Sequence, residues 1–269
     1  MSSVVRATPA RMTRRVIVLA AAIFAIVVGQ GQMALGLGQT AAEFSADSDA
    51  TLKVAGYAFA IWGVIYLGLL IYAVRQVLPQ TGKSLLIHRF GWPSAAAMVG
   101  IGLWIVAAAM DAEMATILLI FGSLVVLLVP MLLNAGAIRA LSARDRDRWM
   151  VVWPLALLAG WLTVAAPLNL ITVATGNGDL PAALSPTVWA MIAIAAVAVI
   201  ALAVTQRIRT VAYALPIAWG LLGAFVAEQP RNFSLAYFAL AAAVAVLTGA
   251  IVLSLGLRRG VERRDAVKA

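Results

Sequence analysis

The chain contains no cysteine, which excludes disulfides, thiolate metal sites and a cysteine nucleophile, and leaves the redox compartment unreadable. Its single histidine, His88, lies in a basic stretch between apolar runs, a setting that suits an incidental residue rather than a placed haem ligand. Charge is scarce as well: 12% of residues are charged, against roughly 25% in an average soluble domain. Acids are the rarer sign, 11 against 20 Lys and Arg, and none lies inside a long apolar run. That excludes an embedded carboxylate pair for acid–base work. It also argues against proton or sodium coupling, which needs ionisable residues within spans. With no convergent nucleophile, base or metal cluster, the chain is not expected to be an enzyme.

What fills the sequence instead is hydrocarbon, with 64% hydrophobic residues. Eight apolar stretches approach the ~20 residues that a bilayer-spanning helix needs: 16–37, 54–74, 92–110, 114–138, 150–173, 187–205, 211–227 and 233–257. Every charged residue falls between them. Arg6, Arg11, Arg14 and Arg15 share one side with Arg75, Lys83, Arg89, Arg139, Arg144, Arg146 and Arg148, and with Arg207, Arg209, Arg258, Arg259, Arg263, Arg264 and Lys268. The other side holds Lys53 and Arg231 with seven of the acids. Under the positive-inside rule both termini are cytoplasmic. The expected fold is therefore an all-α integral membrane bundle of eight transmembrane helices in the cell membrane, the cytoplasmic membrane if the source is bacterial. The net charge of +9 sits in short flanks at helix ends, which suits anionic lipid headgroups and not nucleic acid.

Residues 1–15 form a cytoplasmic flank, and 258–269 a basic tail. The apolar run after the flank is longer than a signal-peptide core of ~7–15 residues and is expected to be retained. Asp111 and Glu113 mark a tight turn between the third and fourth spans. The run Arg144-Asp145-Arg146-Asp147-Arg148 is expected to be solvated and self-paired, and Glu228 to pair locally with Arg231. Thr81-Gly82-Lys83-Ser84 lacks the first glycine and the preceding strand of a phosphate loop.

Tryptophan normally gathers at the membrane boundary, and Trp92, Trp149, Trp153 and Trp189 sit there. Trp62, Trp104, Trp161 and Trp219 lie inside their spans. Phe59, Trp62 and Tyr66 recur at i, i+3 and i+7, and Trp161, Ala165 and Asn169 at i, i+4 and i+8, each set on one helical face. An Asn in hydrocarbon needs a partner, so Asn169 should face protein or a cavity. Aromatic stripes of this kind serve helix packing as readily as a ligand wall.

The segment Gly56-Tyr57-Ala58-Phe59-Ala60-Ile61-Trp62-Gly63-Val64-Ile65-Tyr66 resembles the second helix of the tryptophan-rich sensory protein / translocator protein (TspO/MBR) family. Trp161-Leu162-Thr163-Val164-Ala165-Ala166-Pro167-Leu168-Asn169 is similar to that family's fifth helix, with its Trp-x3-Ala-x3-Asn spacing kept. Two features depart from the family. Thr51-Leu52-Lys53-Val54-Ala55 lacks the prolines expected before the second helix, and Ile101-Gly102-Leu103-Trp104 keeps the third-helix Trp but not its Asn. The motifs cover 16–173, a five-helix bundle, and 174–257 adds three spans, as in longer bacterial members.

The resemblance implies a bundle that binds a flat apolar ligand, such as a porphyrin or haem precursor, without a covalent cofactor. Its implied binding residues are Tyr57, Phe59, Trp62, Tyr66, Trp104, Trp161, Ala165 and Asn169, in a sensory or translocator role. Two alternatives stay open: an uncoupled transporter of an apolar molecule, and a membrane partner subunit without a ligand. Gly29, Gly31, Gly36, Gly100, Gly102 and Gly160 are close-packing positions that suit the bundle itself or a docked partner, a second copy in a homodimer included.

Overall fold

The computed structural model describes residues 9–46, 51–78 and 84–268, with side chains from Met12 to Leu255. Arg6, Asp47, Asp49, Lys83 and most of the Gly-Lys-Ser sequence lie outside the described residues, as do the side chains of the basic tail. No strand occurs among the described residues. Eight helices are long and apolar enough to cross a membrane. This is what hydrocarbon demands, because a helix satisfies its backbone groups within one segment.

The long helices are α1 (Pro9–Leu35), α3 (Ile61–Val77), α4 (Leu85–Ala109), α5 (Glu113–Leu133), α7 (Trp153–Gly176), α8 (Pro186–Ile208), α9 (Val211–Glu228) and α10 (Phe233–Lys268). Two short helices, α2 (Ala41–Ala46) and α6 (Ala135–Ala140), lie between them. A 3-10 turn, Gly56–Ala60, leads into α3. A π turn, Arg148–Val152, leads into α7 just ahead of Pro154, whose missing N–H deprives the Met150 carbonyl of its helical donor.

Local chemistry sets several boundaries. The Ser84 hydroxyl accepts the Ile87 N–H at 3.2 Å and starts α4, and Ser185 does the same for α8 ahead of Pro186. The expected α4–α5 hairpin is present, with Asp111 turning the chain at φ 56°. Asn134 separates α5 from α6. Its amide donates to the Pro130 carbonyl at 2.8 Å, and its side-chain oxygen accepts from Arg89.

Helices α1, α3, α7, α5 and α4 contact one another in that order and close into a ring. Helices α8, α9 and α10 pack together, and α8 and α9 lie against α7. At Gly160 the α7 backbone meets the Tyr213 carbonyl of α9 so closely that a Cβ would overlap it. Beside it, the Thr163 and Tyr213 hydroxyls are 2.7 Å apart. The α9 helix also reaches past α7 to the segment before α3. Lys53 N donates to Glu228 Oε1 at 2.6 Å, Ala55 N to the Gly223 carbonyl at 3.0 Å, and Trp219 Nε1 to the Ala58 carbonyl at 2.8 Å. The two segments run antiparallel.

Three expectations need correction. Helix α4 starts at Leu85 and not 92, so His88 is helical and meets the Arg14 guanidinium at 3.0 Å instead of lying in a loop. The fourth span ends at Leu133, because Asn134 interrupts the helix before 138. Asp147 is not part of a self-paired run. It binds Arg75 of α3 at 2.8 Å, with both side chains largely covered. Between α1 and α3 the chain also forms the short helix α2. The Glu228–Arg231 pair is present at 3.9 Å.

Candidate functional site

The face of α7 that carries Trp161, Ala165, Asn169 and Thr172 turns into the ring and lines a small cavity. Trp62 of α3, Phe59 just before it, and Ile101 and Trp104 of α4 form the facing walls. Ile120 of α5, Val54 of the linker and Gly220 of α9 complete it. Phe59 and Trp62 meet the Trp161 ring edge-on, with centroids 6.0 and 6.1 Å apart. These are the offset and T-shaped geometries that aromatic quadrupoles favour.

Polar groups are few in this chamber, Ser45, Thr172 and the Asn169 amide, and the amide bridges three helices. Asn169 Oδ1 accepts the Trp104 indole N–H at 3.3 Å, and Asn169 Nδ2 donates to the Thr116 hydroxyl at 2.9 Å. Thr116 in turn donates to the Glu113 carbonyl at 2.6 Å. The Asn amide thus has the partners that its burial requires, and it joins α4, α5 and α7 across the ring.

The far end of the cavity is covered by α2. Thr40 and Glu43 exchange hydrogen bonds, Thr40 N to Glu43 Oε2 at 2.8 Å and Glu43 N to Thr40 Oγ1 at 3.2 Å. This is a capping box. It fixes a single helical turn that drives Phe44 inward, 5% exposed, edge-on to Trp104 at 6.2 Å. The backbone bond from Thr40, followed by the Thr40 hydroxyl, holds the Glu43 carboxyl below its ordinary pKa of 4.5. Gln32 secures the approach to α2 by donating to the Leu37 and Gln39 carbonyls at 2.8 and 3.0 Å. Lys53 Nζ, bound to the Ala46 carbonyl at 3.0 Å, secures its exit.

A second, larger chamber of about 460 Å³ lies between α1 and the start of α3. Gly29, Gln30, Gln32, Met33, Gly56, Gly63 and Tyr66 line it, and Phe59 and Trp62 are walls of both chambers. Tyr66 stacks on Trp62 with centroids 5.3 Å apart. The enclosed aromatic cavity is far smaller, about 40 Å³.

Of the residues expected at the site, Phe59, Trp62, Trp104, Trp161, Ala165 and Asn169 line the aromatic cavity. Tyr66 lines only the larger chamber. The structure does not bring Tyr57 to either. It is 48% exposed, and its ring lies edge-on to Trp219 at 5.5 Å. With three residues per turn, a 3-10 segment points Tyr57 about 120° away from Phe59. Sequence reasoning missed Phe44, Val54 and Gly220. Phe44 had a signal, since Thr40-Ala41-Ala42-Glu43 has the capping-box pattern immediately before it. Nothing local marks the other two.

A family model described as TSPO-like protein matches residues 15–252. The match is not confined to 16–173, which carry the two motifs, but runs through α8 and α9 into α10. No curated protein and no solved structure matches the chain. With aromatic motifs on α3 and α7 converging on one cavity and a match over most of its length, the chain belongs to the TSPO-like protein family, as a multi-pass membrane protein.

Proposed function

We propose that this protein binds a flat apolar ligand of the porphyrin or haem-precursor class inside the helix ring, in a sensory or translocator role, with its basic end cytoplasmic. The observation that carries this reading is the meeting of Trp62, Trp104 and Trp161, from three different helices, around one chamber with Asn169 as its bridging polar group. Aromatic walls offer large rigid contact area and stacking geometry to a planar ring. No His, Lys or carboxylate lines the cavity to activate its Ser45 and Thr172 hydroxyls, which favours binding or passage over catalysis.

Size constrains how binding occurs. Ligand sites measure roughly 300–1,000 Å³, and the aromatic cavity holds about 40 Å³. The structure is therefore a closed form. A tetrapyrrole fits only if the aromatic cavity itself widens, with Phe59 and Trp62 moving off the Trp161 ring.

Protoporphyrin IX titrated into detergent-purified protein, followed by Trp quenching, tests the reading. Saturable binding lost in Trp62→Leu and Trp161→Leu but kept in Trp189→Leu is the expected result. Parent protein that shows no saturable binding removes the tetrapyrrole assignment. A second reading, uncoupled passage of the same ligand class, is favoured by two chambers lying in series behind one partition. Efflux of preloaded ligand from proteoliposomes decides between binding alone and passage.

A further inference from the structure

We propose that the chamber between α1 and α3 is a lateral doorway, through which a planar apolar molecule dissolved in the bilayer reaches the aromatic cavity, with the Trp62 indole as the door. This rests on the ligand reading above and specifies the route.

The chamber has the position a doorway needs. Its α3 wall, Gly56, Ala60 and Gly63, is exposed on the protein surface, as is Met33 of α1. Gly63 lies about two turns inside the candidate span Gly56–Val77, so in a membrane this inner part of the wall would face lipid tails. The wall is made of absent side chains: a Cβ added at Gly56 or Gly63 meets nothing within 4 Å. Its inner wall is Phe59 and Trp62, the same residues that close the aromatic cavity.

The door is the least constrained part of the enclosure. Trp62 Nε1 is buried and has no hydrogen-bond partner, an arrangement that costs free energy where it stands. Turning the indole breaks ring contacts with Tyr66 and Trp161 and no hydrogen bond. The competing route, through α2, breaks far more. That cap is held by the Thr40–Glu43 exchange, by Gln32 on two carbonyls, by Lys53 on Ala46 and by Phe44 against Trp104.

Gly63→Leu tests the doorway, because the new side chain has room to fill the chamber without touching the aromatic cavity. In liposomes of phosphatidylcholine, protoporphyrin IX binding is followed by stopped-flow Trp quenching. The expected result is association and dissociation both slowed about tenfold with Kd unchanged, since a doorway sets rates and not equilibrium. Unchanged rates overturn the doorway and leave the ligand site standing. A weakened Kd with unchanged association makes the chamber part of the bound site and likewise overturns the doorway.

A second measurement needs no ligand. Brominated phosphatidylcholine should quench a fluorescence component that Trp62→Phe removes and Gly63→Leu protects. If the parent fails to bind protoporphyrin IX, the tetrapyrrole reading fails, and this quenching alone decides the doorway. Its absence in the parent overturns the proposal.

Discussion

Trp104 of α4 and Asn169 of α7 are joined by an indole-to-amide hydrogen bond of 3.3 Å, the polar crossing of a largely apolar chamber. Asn169 passes the connection to Thr116 of α5. Asn169→Leu keeps the size and removes both bonds, leaving the Trp104 N–H without its acceptor. Interhelical hydrogen bonds in membranes average about 0.6 kcal/mol and reach about 1.7, so a loss of about 1 kcal/mol is expected in mixed-micelle unfolding. Asn169→Gln should recover little of it, because the longer amide cannot reach both partners in the same geometry. A loss no larger than that of an exposed control such as Leu170→Ala would show that the crossing is not energetically coupled.

The α2 cap should respond to acid through Glu43. Its folded pKa is depressed below 4.5 by the Thr40 bonds. A carboxylate of this kind contributes stability that is full above the unfolded value and lost as pH falls through the folded one. Protection factors at 40–46, each rate being divided by the intrinsic amide rate at that pH, should be flat from neutral pH to about 5 and fall below about 4.5. Glu43→Gln retains an acceptor oxygen for the Thr40 N–H and should flatten the profile. Phe44→Ala should open the cap at every pH, since burying a Phe contributes about 1.5–3 kcal/mol. A loss of protection in acid that persists in Glu43→Gln would place the titrating group elsewhere.

The spans were legible because the membrane imposes a rule on every residue in them: each run of bilayer length is free of charge. Helix ends were less so, for a matching reason. The first turn and a half of α4 carries His88 and Arg89, which Arg14 and Asn134 accommodate, so polarity stopped being a boundary marker there. The α3 and α7 faces of the site were visible as spacing. Tyr57 entered through the resemblance and not through a counted face, and two residues along any helix put it on a different side from Phe59. The α9 contribution was marked only by Trp219, a tryptophan inside its span. Trp219 meets Ala58 across 161 residues, and neither neighbourhood announces the other.

Glu228 should prove the anchor of the segment that leads into Phe59 and Trp62. It is 2% exposed at the end of α9 and accepts the Lys53 N–H next to Leu52, a buried residue at φ 74°. A non-glycine residue in this left-handed region is held there by its surroundings. Glu228→Ala leaves the Lys53 N–H unsatisfied and should cost about 1–3 kcal/mol locally. Hydrogen exchange at 51–58 should accelerate accordingly. Glu228→Gln, which keeps an acceptor, should restore most of the protection. Unaltered exchange in the alanine variant would show that the hydrogen bonds of Ala55 and Trp219 hold the segment by themselves.

The union of the ring with the three-helix group should depend on Gly160. The Tyr213 carbonyl and the Pro216 ring occupy the space where a side chain would begin, so Gly160→Ala cannot be absorbed by rotamer change alone. Pro216 fixes the facing backbone and gives it little freedom to retreat. Overpacking of this sort costs about 1–3 kcal/mol, and here it acts on backbone, which places it at the upper end. The same shift would strain the Thr163–Tyr213 hydroxyl contact next to it. Gly220, in contrast, faces the Val164 methyls at 3.0 and 3.3 Å and the Trp161 ring edge at 3.4 Å, side chain and not backbone, so Gly220→Ala should be the milder change while reaching the cavity directly. Equilibrium unfolding should therefore rank Gly160→Ala well below Gly220→Ala, while the cavity's Trp emission should move more in Gly220→Ala. The reverse order in both readouts would mean that α9 is set by its contact with the cavity and not by its close approach to α7.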